Sequence, residues 1–428
     1  MTRQHRRTPT HVLKHRAARH CALALSGLLF AAPAPAADAD RPADLVLRHC
    51  LVFTGLSETL EPDRSVYIRD GRIEAITDSS QAAPPAGQTI DCAGHTLVPG
   101  LIDAHTHLDN LEQAARALAS GTTTVRTAGV PAYQDVGLKA LAATGRIAGP
   151  DVIAAGVYVT PGLEESILAD PRLAPLANGV RTEDELRLLV RINAERGADV
   201  IKTRGTERAG RPDTDPREQV YTQAQLEIVV DEARRHGLPV MVHTHGDEGA
   251  RAAVRAGARS IEHGTYLSEE TLREMRERGT WFVPTVITML EMNEEQYDHV
   301  LRLRGSHMVP RLEQAVRDAH RIGVRLATGA DNYYDNESIN RISLEVMHLA
   351  RLGLSPFEAL QAATVSAAEL LGIDDRTGRI EPGYEADLVV VPGNPLEDVR
   401  VLQDPLVVVS NGQVALKRIP FGLADDRP

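Results

Sequence analysis

Several short apolar runs in this 428-residue chain end in side chains that carry lone pairs suited to a metal ion. His105-Thr106-His107 follows Leu101-Ile-Asp-Ala104, and alternate residues of a strand share a face, so both imidazoles can reach one ion. Two surface histidines would show the same spacing. His243 and His245 close the run beginning at Pro239 and form a second such pair. His263 follows Ser260-Ile-Glu262, and Asp331 follows Leu326-Ala-Thr-Gly-Ala330. Taken alone, either is equally readable as a hydrogen-bonded core residue or a helix cap. Lys202 ends Ala198-Asp-Val-Ile201. An ammonium has three donors and no lone pair, but burial favours the neutral amine, which reacts with carbon dioxide to give a carbamate. The two carbamate oxygens can bridge two ions, whereas a snorkelling or ion-paired lysine needs no such chemistry. Nitrogen and hard-oxygen donors without a thiolate suit zinc, and less often manganese, cobalt or iron.

The elements that must position these groups repeat. Eight Val- and Ile-rich runs recur at Leu97–Ala104, Thr123–Arg126, Asp151–Val159, Asp199–Lys202, Pro239–Val242, Ser260–Glu262, Trp281–Val286 and Arg325–Thr328. Stretches of helical periodicity lie between them, at Asn110–Ser120, Thr182–Arg196, Thr222–His236, Gly246–Ala256 and Ser268–Arg278. Gly121, Gly197, Gly237, Gly257 and Gly279 follow these stretches, where left-handed caps are expected. Eight strand–helix units predict an α/β fold, a (β/α)8 TIM barrel over residues 99–375, with an open doubly wound sheet as the competing arrangement. The candidate ligands then fall at the C-terminal ends of the strands, where barrels build their sites. Residues 38–98 and 376–428 are richer in short strands, and Asp70-Gly71 and Asn411-Gly412 are hairpin signals. They predict one small β-sandwich domain assembled from both chain ends.

Composition narrows the function. Apolar residues make up 43% of the chain and charged residues 25%, an ordinary soluble α/β mixture. Residues 1–37 hold six basic side chains and no acidic one, followed by the apolar run Cys21–Ala32 and Ala34-Pro35-Ala36. This is the pattern of a signal peptide, and it predicts an exported protein, periplasmic or secreted. Arg6-Arg7 leaves twin-arginine export open. Setting those six aside from the 47 basic residues leaves 41 against 59 acidic ones. A body this acidic disfavours nucleic acid, because phosphate binding needs basic patches. Beyond the leader no segment reaches the roughly 18 consecutive apolar residues of a membrane span. Cys50 and Cys92 remain; an oxidising compartment permits a disulfide, and two buried free thiols are the expected state.

Taken together, these segments resemble the amidohydrolase superfamily, within its prolidase-like, ochratoxinase-like and imidazolonepropionase-like metal-dependent group. The matching stretches are Val98–His107, Gly121–Arg126, Gly197–Lys202, Val242–Gly246, Ile261–Leu267, Thr328–Asp331 and Gly378–Val390, spread across residues 43–415. The resemblance implies two divalent metal ions, expected to be zinc. His105, His107 and Asp331 would bind the first ion, His243 and His263 the second, and carboxylated Lys202 would bridge them. It further implies His245 in a catalytic or substrate-binding place, Tyr266 facing the substrate, and a homo-oligomer. Arg204 is a candidate for a substrate carboxylate, or else part of an exposed structural ion pair. The expected reaction is hydrolysis of an amide or peptide-like bond in a small molecule, a dipeptide or N-acyl amino acid, with Asp331 as general base and then general acid. A paired-metal site would also cleave a lactone, imidazolone, carbamate or phosphotriester. A mononuclear deaminase is disfavoured by Gly246, where that group resembles a pattern with Glu, and by the presence of Lys202. A degenerate barrel kept for binding would have lost ligands, and all six positions are filled. The loops Val157–Gly162 and Thr203–Glu207 depart from the subgroup, so its dipeptide specificity is not carried over.

Overall fold

The computed structural model describes residues 42–81, 86–335 and 341–419; the leader expected at residues 1–37 lies outside them. The first five strands are β1 (Ala43–Val52), β2 (Glu61–Arg69), β3 (Arg72–Asp78), β4 (Ala86–Asp91) and β5 (Thr96–Pro99). Asp70 and Gly71 turn β2 into β3 with φ of 49° and 76°, the left-handed pair that a two-residue hairpin requires. Seven parallel strands follow: β6 (Leu101–Thr106), β7 (Thr122–Thr127), β8 (Asp151–Ile153), β9 (Ile201–Arg204), β10 (Val240–Thr244), β11 (Ser260–His263) and β12 (Trp281–Val283). Between and after them run α1 (Leu111–Ala119), α2 (Gln134–Ala143), α3 (Glu183–Arg196), α4 (Gln223–Arg235), α5 (Asp247–Ala256), α6 (Glu269–Arg278), α7 (Val286–Glu291) and α8 (His299–Ile322). The chain continues with α9 (Ile342–Arg351), α10 (Pro356–Ala362) and α11 (Val365–Leu371), then β13 (Leu388–Val391), β14 (Val407–Ser410) and β15 (Gln413–Lys417).

Helix ends follow local chemistry. Thr182 with Glu185 and Thr222 with Gln225 form reciprocal capping boxes at α3 and α4. Gly197, Gly257 and Gly279 stop α3, α5 and α6 in the left-handed conformation.

The parallel strands form a TIM-barrel-type α/β domain. They pair as β6-β7-β8 and as β12-β11-β10-β9, and single bridges join the two sets at Val159–Thr203, Phe282–Leu326 and Thr106–Asn332. Among the described residues the eighth expected strand, Arg325–Thr328, is not a regular one. Its surroundings explain the departure. Thr328 N–H bonds the Ala362 carbonyl and Ile102 N–H the Ala363 carbonyl rather than each other's strand, and Asp331 just beyond takes φ 47°, which ends extended pairing.

The terminal strands, from which a small sandwich is expected, come together from both chain ends. All eight hydrogen-bond into one connected sheet, β15-β14-β13-β5-β1-β2-β3 with β4 on β1, around a core that includes Leu47, Val66, Ile90, Leu388 and Val409. Cys50 and Cys92 are joined in a disulfide, correcting the expectation of free thiols. The cause is register: β1 runs parallel to β4 with Arg48 opposite Asp91, which brings the two cysteines to a Cα separation of 5.0 Å. Closing a 42-residue separation restricts the unfolded chain by about 4 kcal/mol on the chain-entropy estimate. Cys50→Ser or reduction should therefore lower the thermal unfolding midpoint by several degrees, and an unchanged midpoint would count against a stabilising bond.

Candidate metal centre

The candidate ligands other than Asp331 sit on or just past the parallel strands, and Asp331 follows the irregular segment 325–328. His105 lies on β6 with His107 just past it, Lys202 on β9, His243 on β10 with His245 just past it, and His263 is the last residue of β11. His263 and Asp331 have φ of 71° and 47°, values non-glycine residues adopt rarely. This backbone breaks the strand alternation, so Glu262 and His263 both turn toward His105. Such conformations cost roughly 1–3 kcal/mol each and persist only where their surroundings enforce them.

Hydrogen bonds fix which nitrogens face inward. Carboxylates and carbonyls only accept, so His105 Nδ1 carries the proton it gives to Glu262 at 2.6 Å, and His107 Nδ1 the one it gives to the Gly129 carbonyl at 3.0 Å. His243 Nε2 likewise donates to the Glu207 carbonyl at 3.2 Å. In neutral rings the opposite nitrogens are then bare. Lys202 Nζ lies 3.3 Å from His105 Nε2. Asp331 Oδ1 lies 3.3 Å from His105 Nε2 and 3.1 Å from His107 Nε2. Lone pairs thus face a carboxylate, an arrangement that an extra proton on the rings or a cation between them relieves. Ligand atoms of His105, His263 and Asp331 all fall within 4.8 Å of one another. The His243 ring lies 4.5 Å from that of His263 and 4.9 Å from that of His245, which stacks on His263 at 4.9 Å.

Burial tunes these groups. It lowers His243 and His263 well below the usual imidazole range and His245 to about 3, which keeps their lone pairs available. It lowers Lys202 to about 8, against the pull of Glu262 and Asp331. Burial pushes the Asp331 carboxyl up; where His105 and His107 carry the extra proton, the charge of His105 and hydrogen bonds from both rings outweigh it and hold the carboxyl well below the carboxylate range.

A surrounding frame holds the cluster. Glu262, fully buried, spans His105 and Arg126, whose Nη2 lies 3.0 Å from Oε1. Burial would raise Glu262, yet Arg126 and His105 hold it at about 2. Asp103 accepts from the backbone N–H groups of His105 and Ala330 and from the Tyr334 hydroxyl, tying β6 to the segment that carries Asp331. Thr285 Oγ1 lies 2.7 Å from His263 Nδ1. Thr285 itself has φ 50°, a strained value for a β-branched residue. Glu345 on α9 takes the N–H groups of Val286 and Ile287 at the start of α7, and Thr288 Oγ1 donates to the Ala330 carbonyl.

Glu345 is raised to about 8, chiefly by burial. Its folded pKa exceeds its unfolded value of about 4.3, so the native state binds the proton more tightly. Its contribution is whole at low pH and is lost as pH rises from about 4.3 through 8. Glu345→Gln should remove that fall while keeping an acceptor for the helix, and Glu345→Ala should cost about 2–4 kcal/mol by orphaning two buried N–H groups. Thermal melts of the three proteins across pH test both; parallel curves for wild type and Gln would refute the assignment.

A family model for the amidohydrolase family matches residues 96–415, most of the chain. The chain belongs to the amidohydrolase family. This amidohydrolase is 30% identical over 362 residues to an ochratoxinase of Aspergillus niger, with 73% of each chain covered. It is 27% identical to an imidazolonepropionase of Sphingopyxis alaskensis, covering 80% of this chain and 90% of that one. Among solved structures, a Xaa-Pro dipeptidase with methionine bound in its active site superposes with a TM-score of 0.78 at 28% identity, covering 86% of this chain and 99% of the other. The amidohydrolase is accordingly an enzyme, a metal-dependent hydrolase acting on carbon–nitrogen bonds. No described helix is long and apolar enough to cross a membrane.

The structure brings His105, His107, Lys202, His243, His245, His263 and Asp331 together. Tyr266 stands apart: its ring lies near that of His307, 6.3 Å between centroids, and its side chain makes no hydrogen bond to the histidines among the described residues. Arg204 is buried rather than exposed, pairs with Glu207 at 3.1 Å, and lies 5.1 Å over the Tyr158 ring. Sequence reasoning missed Glu262, Arg126, Thr285 and Glu345, and also Arg208 and Tyr333. Arg208 lies 5.4 Å over Tyr158 and forms no ion pair among the described residues. Tyr333 stacks on His107 at 5.1 Å. Arg208 and Tyr333 follow Lys202 and Asp331 closely in the chain, and that position just past a strand end was the available signal.

Proposed function

We propose that this amidohydrolase uses two zinc ions to hydrolyse an amide or peptide-like bond in a dipeptide or N-acyl amino acid bearing an anionic group. The observation that carries the reading is the lone-pair apposition of His105, His107 and Asp331, which a bound cation satisfies. His105, His107 and Asp331 would hold one ion and His243 and His263 the other, with carboxylated Lys202 between them. The amine of Lys202 gains carbon dioxide and releases a proton, a step its lowered pKa favours. Two ions in such a site supply hydroxide at neutral pH and polarise a carbonyl.

Asp331 takes the proton of the attacking water and delivers it to the leaving nitrogen. His245, held through Nδ1 by Thr265 at 2.9 Å, can steady the developing oxyanion with its other ring nitrogen. An anionic substrate is favoured by Arg204 and Arg208, two guanidinium groups gathered over Tyr158 beside Lys202.

A hydrolysis panel tests the reading. Metal-loaded protein should cleave dipeptides or N-acyl amino acids over lactones and phosphotriesters, and should lose that preference when the substrate carboxylate is amidated. Turnover of phosphotriesters or lactones alone would overturn it.

Export through the segment 1–37 belongs to the same proposal. The Cys50–Cys92 pairing supports it, because disulfides persist in oxidising compartments. Fractionation of expressing cells would test it, and retention of the uncleaved chain in the cytosol would count against it. The homo-oligomer implied by the resemblance is tested by light scattering; a monomer at all concentrations would exclude it.

A further inference from the structure

At the end of the parallel strands opposite the histidines, the strand starts enclose a cavity of about 880 Å³. Asp151 and Val152 of β8, Asp199 before β9, Pro239 before β10 and Arg259 before β11 contribute to its wall. The charges there do not balance. Arg126, Lys139, Arg234, Arg259 and Arg376 face only two lining carboxylates, and both are already engaged. Asp199 pairs with Lys139 at 2.5 Å and Asp151 with Arg376 at 3.0 Å, while Arg126 is committed to Glu262.

Arg234 and Arg259 are left without an ion pair among the described residues. Arg259 donates only to the backbone carbonyls of Leu370 and Glu369, and its guanidinium lies 5.9 Å from the Trp281 ring, with that of Arg325 at 4.3 Å. Burial lowers Arg259, and repulsion from Arg325 and Arg126 adds to it. Arg234 reaches toward Gly257, where an added Cβ would lie 3.7 Å from its Nη2, two residues before Arg259. Leu238, Leu371 and Ile373 supply apolar wall. Two guanidinium groups without a carboxylate partner among the described residues, that of Arg259 partly desolvated, beside apolar surface suit an anion with a hydrophobic body.

We propose that this cavity binds a small organic anion, its carboxylate or phosphate head taken by Arg234 and Arg259 and its apolar body by Leu238, Leu371 and Ile373. The site is separate from the metal centre, although Arg126 lines the one and supports the other through Glu262.

Calorimetric titration of the metal-loaded protein with inorganic phosphate, phenyl phosphate and benzoate tests it. Phenyl phosphate should bind about tenfold more tightly than phosphate, since its ring removes apolar surface from water. Arg234→Gln with Arg259→Gln should weaken phenyl phosphate at least ~10-fold, in keeping with the loss of charged hydrogen bonds, whereas Arg400→Gln, exposed and outside both sites, should not. If the double variant fails to fold, Arg234→Gln alone, at an exposed position, should weaken binding about threefold, a part of that same loss. Undiminished affinity in the Arg234 and Arg259 variants, equal binding of phosphate and phenyl phosphate, or an equal loss in Arg400→Gln would overturn the proposal.

Discussion

Asp331→Asn should leave a folded protein that binds its metal and turns over substrate ~10²–10⁴-fold more slowly, the range that positioned proton transfer supplies. The substitution is suited to the position. Asp331 occupies φ 47°, and asparagine is among the few residues that enter the left-handed region readily. Its amide oxygen can still face an ion, and its amide N–H can donate to a bare Nε2, so the contacts to His105 and His107 are altered rather than abolished. What is lost is a carboxylate able to take a proton and return it. Near-normal turnover at full metal occupancy would remove Asp331 from the chemistry. Loss of both metal and activity would make it a ligand first, and leave the proton transfer to another group.

Lys202→Met should have the second large effect. Methionine approximates the length of the side chain and fills its buried space, but it cannot capture carbon dioxide. Metal stoichiometry should fall from two ions to one or fewer, and affinity for the remainder should drop by more than the ~10–100-fold typical of losing an outer hydrogen-bonding partner. Wild-type protein stripped of carbon dioxide should lose activity and recover it with bicarbonate; the Met variant should not recover. Two tightly held ions in Lys202→Met would exclude the bridge. Lys202→Ala alone is less informative, because a buried cavity destabilises on its own account.

The ligand positions were legible because each terminates a short apolar run, and the repeat of runs with helices prescribes where such ends converge. The eighth run misled for a local reason. Arg325–Thr328 alternates like a strand, but the carbonyls of Ala362 and Ala363 take the N–H groups of Thr328 and Ile102, and the backbone of Asp331 turns away, so regular pairing fails. Glu262 was passed over because neighbours on a strand point to opposite faces. His263 at φ 71° suspends that rule, and the two residues reach the same histidine. Arg126 was passed over because a buried guanidinium is invisible until its carboxylate is placed. Thr285 and Glu345 act through a helix start, Val286–Ile287, that no spacing in the sequence links to His263. The cysteine pairing depended on the register of β1 against β4, a contact between strands that are not neighbours in the chain.

The terminal sheet constrains the order of events during synthesis. β5 lies between β1 and β13, and Thr96 pairs with Val391. The amino-terminal strands therefore await a partner made only after the parallel strands and their helices, and Leu97 and its neighbours stay exposed until β13 arrives. Joining such distant segments is slow, and the waiting edge invites wrong association. Shortening the chain before β13 should accordingly yield aggregates rather than a smaller enzyme, even though every ligand of the metal centre would still be present.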